Sequence, residues 1–420
     1  MKDCSADFDL TQRTIFGLLS YHLFDVPFEP EAGVDWEAVF RESKCQAVTM
    51  QVFLNCDHIP GISEELRNEI QAYLFRSMIK NIQIHAQHTY LHRLLSEHGI
   101  SYVTLKGAAS ARYYPDPQSR AMGDVDFYVD KADFEKALAL FREEGFESGE
   151  LNHICHVVLR KKPMHMEMHH TPAGVPDGGA GKLVQQYLLD LKNASFLVEN
   201  KLVTCCCPSD FHHGLIMLMH LQHHLLAEGI GLRHLCDWAV FVHKFQADTF
   251  PILFRDRLRA IGLWKFARVL TLCAVLHLGL PEQAWMVEDV HDKDTACSVM
   301  QDILAGGNFG SKDSQRVHEG MFISNRGKSG VPNRRFQQGF QALNRIIFLK
   351  YPFFEKYPIF LPFGWILAFC RYLIRTYQRN KKNKRDYSIH FLSAYQNSAP
   401  RIRLYQKLAI YEPERQNGMK

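Results

Sequence analysis

Two aspartates one residue apart, Asp124 and Asp126, stand in "GDVDFYVD", a run whose other residues alternate as a half-buried strand does. On a strand, positions i and i+2 project to one face, so the two carboxylates share a side while Val125, Phe127 and Val129 occupy the other. Like charges about 5 Å apart repel by roughly 3 kcal/mol at an effective dielectric near 20, so stability alone would not keep such a pair. Sharing a proton or binding a cation relieves the repulsion, and all-oxygen donors favour a hard ion such as Mg2+. Glu167, in "MHMEMHH", adds a third carboxylate if its strand lies beside the first. Three carboxylates on neighbouring strands make a site for two divalent ions, Mg2+ or Mn2+, the usual device for in-line phosphoryl or nucleotidyl transfer. Upstream, the β-rich run "ISYVTL" closes on Lys106 and Gly107. A glycine there lets the backbone approach a phosphate closely, with N–H groups of the following turn as donors and Lys106 as the neighbouring positive charge.

Those side chains need elements to hold them. From Phe8 to about His98, apolar residues recur at three- and four-residue spacings in "RTIFGLLSYHLF", "WEAVFRESKCQAVTMQVFL" and the long "ELRNEIQAYLFRSMIKNIQIHAQHTYLHRLLSEHG", which predicts helices, the last ending at Gly99. The period then changes to two short strands, with "AASARYY" as a helical turn and "PDPQSR" as loop between them. "KADFEKALALFREEGFE" predicts an amphipathic helix ending near Gly145, followed by strands "HICHVVLRK" and "MHMEMHH" joined by a tight Lys161-Lys162-Pro163 turn. Helical periods return in "FHHGLIMLMHLQHHLLAEG", "GLRHLCDWAVFVHKF" and "LWKFARVLTLCAVLHLGLP". The fold class is α+β: a small mixed sheet between helical segments. The expected division is an N-terminal helical subdomain over 1–98, a catalytic module over 99–205, a helical subdomain over 206–285 and a C-terminal region over 286–420. With neither repeats nor low-complexity linkers, these units are expected to pack as one body.

The stretch "LKGAASARYYPDPQSRAMGDVDFYV", followed by a helix, two strands and "MEMHH", resembles the uncharacterised nucleotidyltransferase family of the DNA polymerase beta-like nucleotidyltransferase superfamily. The resemblance extends more weakly to "GLRHLCDWAVFV" and "LHLGLP", covering roughly residues 10–285. It implies that Asp124, Asp126 and Glu167 bind the metals, and that Gly107 and the turn at Ala108 cradle a triphosphate which Lys106 and Arg120 neutralise. Where the superfamily often has a serine after the glycine, Ala108 and Ala109 stand here, so that hydroxyl contact to phosphate is missing. The implied reaction transfers a nucleoside monophosphate from a nucleoside triphosphate, expected to be ATP, to an acceptor hydroxyl. A small molecule, sugar or peptide is the favoured acceptor. The alternatives are transfer to RNA or protein, a non-catalytic nucleotide- or partner-binding module, and a histidine-centred metallohydrolase.

His169 shares the strand face of Glu167, as a neighbour of the metals, a contact to the nucleotide, or an ordinary satisfied histidine. His213, His220 and His224 fall on one helix face by separations of seven and four, which could suit zinc; without a Cys or Asp to complete a ligand set, the expectation is instead that His220, His223 and His224 are hydrogen-bonded helix residues lining or roofing the nucleotide cleft. Arg233 and Asp237, four apart, have the spacing of a helical ion pair and are expected as a structural pair between subdomains, with direct contact with substrate as the alternative. Cys205, Cys206 and Cys207 read as buried strand or loop. Eleven cysteines without regular spacing point to a reducing compartment, and the acidic N-terminus shows no signal peptide, so a cytoplasmic location is expected. A net charge of +4 does not imply a nucleic-acid partner. The apolar stretch Ile359–Ile374 is short for a membrane span and runs into a basic run over 371–385, expected as a core helix with a solvated basic end, or as a peripheral membrane or polyanion contact.

Overall fold

The computed structural model describes residues 8–54, 59–149, 155–176, 178–245, 248–313, 351–368 and 391–412, with a few single positions between 316 and 374. The chain forms two compact units. The first comprises residues up to Leu225, Gly229–Asp313 and Leu404–Lys420; the second is Ser314–Arg403 with Leu226–Glu228. Among the described residues no helix is long and apolar enough to cross a membrane. Apart from Arg371, the basic positions over 371–385 lie outside the described residues.

Helices α1 (Leu10–Phe24), α2 (Trp36–Cys45), α3 (Thr49–Phe53) and α4 (Glu64–Glu97) open the first unit. Three of them start on capping side chains: Asp9, in a reciprocal box with Gln12, then Asp35 and Ser63. These oxygens satisfy N–H groups that have no partner within the helix. After α4, Gly99 turns the chain at φ 63°, as its position in the sequence predicts.

The sheet then forms from β1 (Tyr102–Thr104), β2 (Val125–Val129), β3 (Glu147–Ser148), β4 (His156–Lys161) and β5 (Met164–His169), in the order β1-β2-β5-β4-β3. Only β2 and β5 run parallel; the other pairs are antiparallel. Between β1 and β2 lies the short α5 (Ala108–Ala111), and after β2 comes α6 (Lys131–Glu143). Val125, Phe127 and Val129 are fully buried, in one cluster with Leu91, Leu95, Leu138 and Phe141 of α4 and α6. Burying each such side chain contributes about 1.5–3 kcal/mol. A one-residue slip of β2 would exchange those three for two carboxylates and Tyr128, so the apolar face fixes the register and turns Asp126 to the opposite side.

Helix α7 (Gly178–Leu188) leads to a second, two-stranded sheet, β6 (Phe196–Glu199) and β7 (Thr204–Cys207). The triple cysteine is therefore strand, with Cys205 and Cys207 inward. Helices α8 (Asp210–Leu226), α9 (Leu232–His243), α10 (Thr249–Ile261) and α11 (Trp264–Leu278) build an aromatic core around Trp238, Phe241, Phe250, Phe254 and Trp264, all fully buried. Helix α12 (Asp292–Gly306) occupies the stretch without a readable apolar period. Its buried face includes Asp292, Thr295 and Asp302, and Asp292 is neutralised by Arg268 at 2.5 Å. In the second unit α13 spans Pro352–Lys356; α14 (Phe391–Leu408) ends in the first unit, where Leu404 and Leu408 join the core.

Candidate active site

Gly107 leads into α5 with φ 60° and ψ −113°, a conformation open in practice to glycine alone. A Cβ there would sit 3.2 Å from His88 Nε2 and 3.7 Å from the carbonyl oxygen of Asp124, so this glycine permits the Lys106–Gly107 turn to press against the start of β2. Lys106 Nζ consequently lies 3.2 Å from Asp126 Oδ1. Ala108 and Ala109 pack into an apolar cluster with Val203, Cys205 and Cys207. Ala108, expected at the nucleotide, thus directs its methyl into the second sheet and does not line the cavity. Ser110, two residues on, is the hydroxyl that reaches it, with Oγ 3.4 Å from His213 Nε2.

The parallel pairing of β2 with β5 sets Asp126 directly opposite Glu167, and Asp124 precedes the strand by one residue. His169 stands behind both: its Nε2 is 3.1 Å from Asp126 Oδ1 and 3.5 Å from Glu167 Oε2. It is buried and does not line the cavity, so it positions the two carboxylates from behind. The β4–β5 hairpin pairs His156 with His169, and His156 Nε2 lies 3.6 Å from Glu167 Oε2. His156, Glu167 and His169 offer ligand atoms all within 4.8 Å of one another, a candidate metal-binding group.

Burial, then repulsion from Asp126 and Glu167, raises the pKa of Asp124 to about 6. Burial also pushes Asp126 upward, but Lys106 and the bond from His169 outweigh it and hold this carboxyl well below the usual range. Glu167 is likewise lowered, as the His169 bond and its charged neighbours overcome burial. His169 is raised: burial disfavours its charge, but bonds to Asp126 and Glu167 more than restore it. Two fixed carboxylates beside one that readily takes a proton form a donor set short of positive charge, and it fits a divalent cation.

Arg120 lines the same cavity, but its charge is committed. Its Nε and Nη2 each donate to Asp237 at 2.7 Å, in a pair with both side chains 7 % exposed, and Tyr114 Oη donates to the same carboxylate at 2.7 Å. The expected Arg233–Asp237 helical pair is therefore corrected. Asp237 is satisfied from the loop before β2, and Arg233 turns to the carbonyl of Ala121, 3.4 Å away. Asn81 of α4 fixes that loop. Its Nδ2 donates to the carbonyls of Gln118 (2.7 Å) and Arg120 (2.9 Å), and its Oδ1 accepts from Met122 N–H at 3.2 Å.

These groups meet in a cavity of about 310 Å³, within the size range of small-ligand sites. The sheet side contributes Lys106, Gly107, Asp124, Asp126 and Glu167; the helices contribute His213, His220, His224, Arg233 and His234, and Phe309 follows α12. His213, His220 and His224 of α8 thus line the cleft, whereas His223, expected there, is exposed and does not; burial holds His213 and His220 well below the ordinary imidazole pKa. Among the described residues they complete no metal-binding group.

A family model for uncharacterised nucleotidyltransferases matches residues 32–279, more than half of the chain. The chain belongs to this uncharacterised nucleotidyltransferase family. Neither a curated protein nor a solved structure matches it. The matched span of this nucleotidyltransferase-family chain holds all the cavity residues named above except Phe309. It also holds Asn81 and His156, which were not singled out in the sequence. His156 follows from the observed register: the two-residue turn Lys162-Pro163 pairs Lys161 with Met164 and hence His156 with His169, whereas the expected turn over 161–163 would have set His156 opposite Met168. Asn81 was not legible in the sequence, because its partners lie 37 to 41 residues away in a loop.

Proposed function

We propose that the chain transfers a nucleoside monophosphate from a nucleoside triphosphate, ATP as the commonest donor, to a hydroxyl of a small-molecule, sugar or peptide acceptor. The observation that carries this reading is the β2–β5 register, which brings Asp126 opposite Glu167 in a cavity that Lys106 and Gly107 also line. Asp124, Asp126 and Glu167 would hold the divalent cation, Mg2+ or Mn2+. The imidazole of His156 beside Glu167 favours Mn2+ or a similar transition ion over Mg2+. When bound, the cation supplies charge neutralisation at the transferring phosphate and acidifies the acceptor hydroxyl.

The residues of the chain supply the rest. Lys106 offsets phosphate charge, and the Gly107 turn admits the polyphosphate close to the backbone. Glu167, ionised at neutral pH by its lowered pKa, accepts the acceptor's proton. The acceptor oxygen forms a bond to the α-phosphorus as the bond from that phosphorus to the bridging oxygen breaks, and pyrophosphate leaves. His169 keeps Asp126 and Glu167 aligned from behind.

The test is incubation of the full chain with α-labelled nucleoside triphosphates, Mn2+ or Mg2+ and cell extract, followed by identification of the labelled molecule. Label transfer with pyrophosphate release is expected, falling to background in Asp126→Asn with an unchanged circular dichroism spectrum. Undiminished transfer by that variant would refute the assignment. Binding of nucleotide without any pyrophosphate release would mark a non-catalytic module.

A further inference from the structure

Among the described residues, Arg233 is the cation of the cavity that forms no direct ion pair. Arg120 is bound at two points by Asp237, and Lys106 faces Asp126. Arg233 has no carboxylate within ion-pair distance among the described residues. Its Nε is buried without a hydrogen-bond acceptor, and its Nη1 makes one long bond, to Ala121 O. A buried guanidinium with a single long hydrogen bond has donors left for an anionic ligand.

The surroundings hold it in place. The ring of Phe309 lies 5.6 Å from the guanidinium carbon and packs on His224 and His234, with centroids at 4.8 and 5.0 Å. Phe309 has φ 53° and ψ 43°, a left-handed conformation that a bulky residue adopts only when its surroundings impose it. The residue is nevertheless 40 % exposed and lines the cavity.

We infer that Arg233 binds the polyphosphate of the nucleoside triphosphate, the role that likeness to the family would put on Arg120. A planar fork of N–H donors matches phosphate oxygens at two points. The carboxylates of the same cavity are engaged by Lys106, His169 and His156, or lie by His165 at 3.9 Å, leaving Arg233 for the ligand. This inference rests on the nucleotidyl-transfer reading.

The experiment is calorimetric titration of the full chain, with Mn2+, by inorganic triphosphate and by a non-hydrolysable nucleoside triphosphate. Arg233→Met should weaken both at least about tenfold, with partial recovery in Arg233→Lys and no change for the bare nucleoside. Unfolding of Arg233→Met would move the test to Arg233→Lys and Arg233→Gln, for which a graded loss is expected. Affinities within twofold of wild type in every folded variant would overturn this inference and leave nucleotidyl transfer standing. Unchanged triphosphate affinity with lost label transfer would place Arg233 at an anionic acceptor and also overturn it. A wild-type chain that binds neither ligand would overturn both readings.

Discussion

Asp124 and Asp126 differ by one residue in sequence and by far more in environment. Asp126 is buried and bracketed by Lys106 and His169, whereas Asp124 keeps 36 % of its side chain exposed and has His165 at 3.9 Å. The raised pKa of Asp124, about 6, means that its ionised form destabilises the empty fold. A proton bound more tightly in the folded state than in the unfolded one contributes stability that is present below about pH 4 and lost as pH rises through about 6. Asp124→Asn is therefore expected to raise stability at pH 8 by about 1 kcal/mol, a figure reduced for partial exposure, with the gain vanishing at pH 4. Thermal unfolding at the two pH values measures it, and the variant should also lose the stabilisation that added Mn2+ gives the wild type. A gain of equal size at both pH values would show that charge is not its cause. This pair was readable because period-two alternation with Val125, Phe127 and Val129 states the face directly. Arg233 and Asp237 were not: the four-residue rule sees only their own helix, while the partner of Asp237 lies 117 positions upstream.

At the level of elements, the loop between α5 and β2 decides how well the carboxylates are held, and α4 holds that loop through one amide. Asn81 makes three hydrogen bonds to it from a buried position. Replacing Asn81 with Ala leaves three backbone groups without partners, at an expected cost of about 2–4 kcal/mol in chemical denaturation. Transfer activity should fall further than the folded fraction, since Arg120 and Asp124 both hang on this loop. Activity tracking the folded fraction would confine Asn81 to stability. The long α4 and the β4–β5 hairpin were legible from their periods and the tight turn between the strands. The pair β6 and β7 was not, because "FLVE" is largely exposed and "TCCC" shows no alternation of residue type. Helix α12 escaped for a related reason, with aspartates and threonine on its buried face.

On the scale of the whole molecule, the first unit is discontinuous in sequence: the chain leaves it after Asp313 and re-enters at Leu404. The returning segment is structural. Leu408 is fully buried in the core, Tyr411 N–H donates to Gly262 O at 2.8 Å, and Tyr411 Oη donates to Gly174 O at 2.8 Å. Leu408→Ala is expected to destabilise the first unit by about 2–5 kcal/mol, against no measurable effect for Lys407→Ala on the exposed side. Comparing the two melts checks the claim, and equal midpoints would remove it. No local pattern could reveal this return, because the apolar stripe of α14 does not say which unit it serves. A stop codon anywhere over 314–403 would spare every cavity residue and still delete part of the core of the first unit. Inactivity of such a truncated chain would thus be mistaken for a catalytic duty of the missing piece. Excising 314–403 and splicing the ends is the cut that asks what the second unit does.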